Sequence, residues 1–143
     1  MLTNNWRAQI ERLLTGSAGQ FRGESGKYNQ LYSNNFNVMK VEIGTGTTPA
    51  NTTDYKLESV ISSGYKALIN PSVTHTVDDV GGTNVIANII NTSNSDNLTF
   101  SEIGLLGNDY STQAEYILFA REVFDTPITI APGETKSFVM KLF

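Results

Sequence analysis

The chain has no cysteine, a single histidine and no basic cluster, and each of these shortages excludes a class of function. Without cysteine no disulfide can form, and with His75 as the sole histidine a conventional zinc site cannot be assembled. Ten Lys and Arg stand against 14 Asp and Glu, giving a net charge of −4, so the electrostatic footprint of a nucleic-acid-binding protein is missing. We therefore expect no metal, no cofactor and no nucleic-acid partner.

Long hydrophobic runs are also lacking. No stretch approaches the roughly 20 apolar residues that a membrane-spanning helix needs. The first 15 residues are amphipathic and lack the apolar core of a secretory signal. Together with the absence of cysteine, this fits a protein made and assembled in a reducing cytoplasm, with no membrane partner.

What the chain does have is a composition suited to β structure. Its 143 residues are enough for one domain with a single core, and Asn, Thr, Ser and Gly replace much of the usual charge. From Val38 onward apolar residues alternate with polar ones, as in half-buried strands. Alternation or apolar runs predict strands over residues 38–43, 65–69, 73–77, 84–91, 98–106, 116–124 and 135–143.

Turn residues separate these segments. Gly81-Gly82, residues 93–97 and residues 107–109 have turn composition, and Pro132-Gly133 suits the centre of a type II turn. About eight short strands separated by turns indicate an antiparallel β-sandwich. The sequence thus predicts an all-β fold: a sandwich domain over residues 38–143, preceded by a short α-helix and an extended arm over residues 1–37.

The N-terminal segment has helical rather than strand periodicity. Trp6, Ile10 and Leu13 recur on one face. Asn4 or Asn5 can cap the helix start, and Gly16 can end it. A helix of about ten residues is marginal alone in water, so its apolar face must pack against its own sheet or a neighbouring subunit.

Four aromatic residues punctuate the Gly-, Ser- and Asn-rich segment that follows the helix: Phe21, Tyr28, Tyr32 and Phe36. Two interpretations are open. The segment is either a loop that lies against its own domain, or an arm that fastens the subunit to a partner. Aromatic anchors dominate protein interfaces, so we predict subunit contacts at these four residues and at Trp6, Ile10 and Leu13.

Two strands carry charge among apolar residues. Segment 116–124 is apolar on both faces, which requires cover on both sides. In segment 98–106 the apolar set starts on one face with Phe100 and continues on the other with Ile103, and Gly104 can allow a bulge. An unpaired buried charge is costly, so we predict that Glu102 and Arg121 form a structural ion pair between adjacent central strands.

These residues also form an ordered pattern. A Gly-Thr-Gly turn at residues 44–49 is followed by Leu57, then by Glu102-Ile103-Gly104-Leu105, then by Ala120-Arg121, a proline-containing turn and a closing strand. The pattern covers residues 38–143 and resembles the small β domains of tailed-bacteriophage virion proteins. It is similar to the N-terminal attachment domain of tail-collar fibre proteins and to short standalone virion structural proteins. The resemblance does not extend to residues 1–37.

The resemblance implies a non-enzymatic structural subunit located in the virion, with other virion proteins as partners in a homo-oligomeric or symmetric assembly. Since the chain ends at Phe143 without shaft repeats, we do not expect a complete long fibre. A tail, baseplate or collar adaptor and a capsid-decorating protein all remain open. The alternative from another class is a carbohydrate- or receptor-binding module, for which Tyr55, Tyr65 and Tyr110 are the candidate aromatic contacts.

The sequence shows no arrangement of residues that is typical of a catalytic site. His75 would need a serine and an aspartate converging on it, and Glu102 has no obvious partner for acid catalysis. The pair Asp78-Asp79 and the loop at residues 94–97 lack the spacing of an EF-hand, and both are interpreted as solvated turns. Residues 44–49 lack the lysine of a phosphate-binding loop, so their glycines are assigned to a tight strand exit. We expect no catalytic residue.

Overall fold

The computed structural model describes residues 1–15, 20–30, 36–69, 84–109 and 116–141. Within these ranges the chain forms one helix, α1 (Asn4–Thr15), and eight strands. The strands are β1 (Gln20–Arg22), β2 (Tyr28–Gln30), β3 (Phe36–Gly44), β4 (Tyr65–Ile69), β5 (Asn84–Asn91), β6 (Leu98–Asp109), β7 (Tyr116–Ile130) and β8 (Thr135–Lys141). The strand predicted at residues 73–77, the turn at Gly81-Gly82 and the final residues lie outside the described ranges.

Two antiparallel three-stranded sheets enclose the core. The first has the strand order β3-β6-β7 and the second β4-β5-β8. Alternate residues of both sheets supply one buried apolar cluster, including Ile43, Phe100 and Ile103 from the first sheet and Ile89 and Met140 from the second. The prediction of an all-β, sandwich-like fold with one short N-terminal helix is confirmed.

Strand β6 is the central strand of the first sheet. Its last residues form a strand because they are paired on both sides, although their composition is typical of a turn. Residues 107–109, predicted as a turn, continue the strand: Asn108 is paired with Asn37 on β3 and with Tyr116 on β7. A strand that is paired on both sides gains ladder hydrogen bonds that outweigh local propensity. The predicted turn at residues 107–109 was therefore wrong.

A register irregularity between β6 and β7 keeps the apolar residues of β6 up to Leu105 on one face. Between the pairs Phe100–Ile128 and Glu102–Val123, Ser101 alone is opposed by residues 124–127 of β7. Because of this irregularity, Phe100 and Ile103 both face the core, although they are three residues apart. The predicted change of face was wrong, and Gly104 stays in register with Glu42 and Arg121 instead of forming the bulge.

The connection between β7 and β8 is a tight turn, as predicted for Pro132-Gly133. Glu134 N donates to Ala131 O at 3.1 Å, and Gly133 has a φ of 74°. Buried Asn91, at the end of β5, joins the second sheet to the end of β7 by donating from Nδ2 to Ile130 O, and it also donates to Asp96 O. Its Oδ1 accepts from Ser93 N, which makes the polar segment at residues 93–97 an ordered turn.

The N-terminal residues are part of the first sheet. Leu2 pairs with Ala120 as an antiparallel bridge, and Thr3 N donates to Phe119 O at 2.8 Å. Thr3 O accepts from Arg7 N, so Thr3 and not Asn4 or Asn5 occupies the N-cap position of α1. In the described part of the chain, no helix is long and apolar enough to cross a membrane.

The predicted extended arm contains a small hairpin. Strands β1 and β2 pair antiparallel, with Phe21 opposite Asn29, around a turn at residues 23–27. Buried Asn5 holds this hairpin against α1, since its Oδ1 accepts from Arg22 N and its Nδ2 donates to Arg22 O. Glu24 N also donates to Tyr116 O. The described part of the segment therefore lies against its own domain, which is the first of the two interpretations.

Candidate functional site: a buried charge network beneath the 45–60 loop

The outer face of the first sheet is covered by the loop at residues 45–60, and one buried carboxylate holds that loop in place. Glu102 is fully buried and projects from the central strand. Its Oε1 accepts from Gly46 N at 3.1 Å and from Ser59 N at 2.8 Å, and its Oε2 accepts from Glu58 N at 3.1 Å. Both ends of the loop are thus hydrogen-bonded to a single side chain.

The charge of Glu102 is balanced by Arg121, which is 3% exposed. Arg121 Nε donates to Glu102 Oε2 at 2.8 Å, and Nη1 donates to Asp54 Oδ2 at 2.9 Å. Burial acts to lower the pKa of the guanidinium, but the hydrogen bonds that it donates to Asp54 and Glu102, together with their negative charges, outweigh burial, so the pKa is raised. Arg121 therefore stays charged and links the loop to two strands.

Glu58 ties the loop to itself. Its Oε2 accepts from Thr47 N and Thr48 N at 3.0 and 2.9 Å, and its Oε1 accepts from the Thr48 hydroxyl at 3.0 Å. Oε2 also lies 3.5 Å from Arg121 Nη2. The Thr48 amide, followed by the Thr48 hydroxyl and the Thr47 amide, holds the pKa of Glu58 below its ordinary value.

The glycines of the Gly-Thr-Gly turn allow the loop to approach Glu102 closely. A Cβ atom added at Gly44 would overlap Glu102 Oε1 and Ser59 O. One added at Gly46 would lie 2.6 Å from Glu102 Oε1. A side chain at either position would push the loop away from the carboxylate. This explains why glycines are needed at the tight strand exit: the loop can reach Glu102 only where no side chain intervenes.

Leu57 supplies the apolar part of the cover. It is 1% exposed and packs with Leu106 and Leu118 on the outer face of the sheet. A Cβ added at Gly104, directly beneath, would lie 2.8 Å from Leu57 Cδ2 and 3.0 Å from Leu118 Cδ1. Strand β7 is apolar on both faces and therefore needs other residues to cover both. The loop at residues 45–60 covers its outer face at Leu118, and α1 packs against it at Phe119.

The structure brings the predicted pair Glu102 and Arg121 together and adds two residues that sequence reasoning missed, Asp54 and Glu58. The sequence carried only a partial signal, because an arginine predicted to be buried beside a single carboxylate has donors to spare. That signal did not identify Asp54 and Glu58 as the acceptors, since both stand in a polar segment that has no strand alternation. The network therefore joins three carboxylates to one guanidinium.

The predicted subunit contacts are only partly described. The ring of Trp6 packs edge-on against Phe119 of its own chain, with centroids 5.4 Å apart, and Ile10 is half-buried on the same helix. The side chains of Leu13, Phe21, Tyr28 and Phe36, and all of Tyr32, lie outside what the structure describes. Contacts of these residues with another subunit stay a prediction.

Two of the three tyrosines suggested for carbohydrate contact, Tyr55 and Tyr65, lie in the described part of the chain and have contacts within it. The Arg22 guanidinium lies 3.8 Å from the centroid of the Tyr55 ring. Tyr65 is half-buried, and burial together with the Glu42 charge raises its pKa despite a hydrogen bond to the backbone of Ile43. Tyr110 lies outside the described ranges, as do His75, Asp78 and Asp79. The rings of Tyr55 and Tyr65 both contact residues of their own chain, so neither ring is reserved for a ligand.

Clefts open on both sides of the network. One, about 530 Å³, lies between residues 47–50 of the loop and residues 122–127 of β7. A second, about 330 Å³, is lined by Arg22, Tyr55 and Glu58, among others. Arg121 borders both clefts. Among the described residues no group of three or more His, Cys, Asp or Glu side chains is arranged to hold a metal ion.

Comparison with known proteins adds no relative: no protein-family model matches the chain, and no curated protein or solved structure matches it either.

Proposed function

We propose that this protein is a non-enzymatic structural subunit of a tailed-bacteriophage particle, which attaches to or decorates an oligomeric virion assembly. The supporting observation is that the separate elements of the sequence pattern form one contact network. Gly44 and Gly46 approach Glu102, Glu102 binds Arg121, and Leu57 covers Gly104. The elements of the pattern are thus physically coupled, which argues against a chance combination of short motifs.

The chemistry of the network also favours a scaffold over a reactive site. Glu102 accepts four hydrogen bonds in a fully buried position, and Arg121 is shared among three carboxylates. A group held in this way is fixed in one orientation. Such a network fixes the geometry of a surface loop, which is what a subunit needs if it is to present a defined surface to its neighbours.

The proposal is tested on purified particles. Cells are infected with the phage that encodes this chain, particles are separated on a density gradient, and the chain is quantified by mass spectrometry against the major capsid protein. We expect a fixed stoichiometric ratio across the particle band. A chain that is abundant in the lysate but absent from the particle band would contradict the proposal.

A nonsense mutation in the gene for this chain, complemented by the wild-type or a variant gene, then tests the partner contacts. Deletion of residues 1–37 is unsuitable for this purpose, because Leu2, Thr3 and α1 pack on β7 of the same chain. Exposed point variants on α1, such as Glu11→Gln, are preferable. Incorporation of every such variant at the wild-type ratio would exclude an assembly role for the outer face of the helix.

A further inference from the structure

The cleft of about 530 Å³ has one wall held by hydrogen bonds and a lining that is partly apolar. Pro49 stands on the loop side, while Phe124 and Pro127 stand on the β7 side. The loop side is fixed by the hydrogen bonds of Thr47 and Thr48 to Glu58. A volume of about 530 Å³ falls within the roughly 300–1,000 Å³ of known ligand sites. The cleft is therefore formed before any partner arrives.

The β7 side of the cleft lies where the β6–β7 pairing is interrupted. Residues 124–127 are opposed in β6 by Ser101 alone, so the backbone of this segment runs out of register with β6. Interruptions of this kind concentrate beside binding sites, and exposed main-chain groups can pair with an extended segment of another chain. Ser101, buried between the two walls, borders the cleft at the same point.

The electrostatic environment of the cleft is negative. Glu122 and Asp125 line it, and the Arg121 guanidinium behind them is more than neutralised by Asp54, Glu58 and Glu102. Besides Arg121, the cation that borders the cleft is the amino group of Met1, which donates to Arg121 O at 2.7 Å. The two carboxylates of the lining and the network behind them, which joins three carboxylates to one guanidinium, together outweigh the Met1 amino group, so the potential in the cleft is negative.

We propose that this cleft is the docking site for an extended segment of a partner protein that carries a lysine or arginine beside an apolar residue. The basic side chain lies against Glu122 and Asp125, and the apolar side chain lies among Pro49, Phe124 and Pro127. The charge-network loop serves to hold one wall of the site in place. This inference rests on the proposed function in that it names the kind of partner that the subunit would bind.

The test uses the full chain and three synthetic nine-residue peptides. In each peptide valine alternates with one charged residue, which is lysine in the first, arginine in the second and glutamate in the third. Binding is followed by fluorescence anisotropy, and the site is located by amide chemical-shift changes. We expect the lysine and arginine peptides to bind, the glutamate peptide not to bind, and the shifts to cluster at residues 47–50 and 122–127. Binding of the lysine peptide should weaken as sodium chloride is raised.

Two variants with equal charge changes separate the cleft from the rest of the surface. Glu122→Gln/Asp125→Asn should weaken binding of the lysine peptide at least tenfold, whereas Asp96→Asn/Glu134→Gln should leave it within twofold. Asp125→Asn alone alters an exposed side chain, so we expect this variant to fold and to weaken binding by part of the effect of the double variant. Absence of peptide binding, equal losses in both double variants, or the same amide shifts with calcium ions alone would overturn the proposal.

The outcomes also distinguish this inference from the proposed function. A chain that is found in particles but binds no basic peptide would overturn the docking site and leave the structural role standing. A chain that binds the lysine peptide in the cleft but is absent from particles would uphold the site and overturn the virion assignment.

Discussion

Glu102 and Arg121 bind each other diagonally across the β6–β7 ladder. Glu102 is paired in register with Val123 and Arg121 with Gly104, yet Arg121 Nε lies 2.8 Å from Glu102 Oε2. Gly104, opposite Arg121 in the ladder, has no side chain, and a Cβ there would meet Leu57 and Leu118. A diagonal pair of this kind contacts two successive register positions, so it fixes the alignment of the two strands as well as their charge.

The first prediction concerns this pair. Glu102→Gln places an amide donor among four donors, and we expect it to lower the free energy of unfolding by about 3–5 kcal/mol, as for other broken buried pairs. Arg121→Met should cost a similar amount, and the double variant should cost less than the sum by at least about 1 kcal/mol. Urea denaturation measures all three. Glu134→Gln, an exposed carboxyl, is the control and should stay within about 0.5 kcal/mol of wild type.

A coupling energy near zero in that cycle would remove the ion pair as a determinant of the fold. It would mean that the loop is held by Leu57 and the backbone hydrogen bonds alone.

The second prediction separates the apolar cover from the charges. Leu57→Ala removes a side chain that is 1% exposed and should destabilise the protein by about 2–5 kcal/mol through the cavity it leaves. Leu68→Ala removes the same atoms from an exposed position and should change stability by less than about 0.5 kcal/mol. Urea denaturation of the two variants should therefore give clearly different midpoints. Equal midpoints would show that the loop contributes little to the folded state.

The strands of the sandwich could be predicted from the sequence, because alternation with a period of two residues indicates which residues face a core. The register irregularity at Ser101 was not, because it depends on which residues of β7 lie opposite. The pair Glu102 and Arg121 could be inferred since each is a charge in an apolar strand. Asp54 and Glu58 could not, because a carboxylate in a polar loop looks the same whether it is solvated or paired. Both the register irregularity and the contacts of the two loop carboxylates depend on how distant parts of the chain pair in the fold, which the local sequence does not show.

The third prediction tests the close approach above Gly104. Gly104→Ala adds a methyl group 2.8 Å from Leu57 Cδ2, and we expect a loss of about 1–3 kcal/mol from overpacking. In the Leu57→Ala background the added methyl group has space, so the same substitution should cost at least about 0.5 kcal/mol less. Additive effects of the two substitutions, measured by urea denaturation, would argue that Gly104 is required for another reason.

The fourth prediction asks whether α1 is an integral part of the domain. Trp6 and Phe119 form an edge-on aromatic pair, which is worth about 0.5–1.5 kcal/mol beyond the apolar area that it buries. A cycle of Trp6→Leu and Phe119→Leu should recover a coupling in this range. Arg7→Ala, at an exposed position of the same helix, should change stability by less than about 0.5 kcal/mol. If Trp6→Leu leaves stability unchanged but abolishes incorporation into particles, Trp6 is a subunit contact and not an internal anchor.

The last prediction is a pH dependence that originates at Glu58. Its hydrogen bonds from Thr48 and Thr47 hold its pKa in the folded state below the ordinary value of 4.5, so in this pH range the unfolded chain binds more protons than the folded one. The stabilisation by Glu58 is therefore complete above about pH 4.5 and is lost as the pH falls through the lower, folded-state pKa. Glu58→Gln should be less stable than wild type at neutral pH, and the difference should shrink with acidification. Urea midpoints between pH 7 and pH 3 measure this, with Glu134→Gln, at an exposed carboxyl, as the charge-matched control. A gap between wild type and Glu58→Gln that does not change with pH would show that the carboxylate charge of Glu58 does not hold the loop.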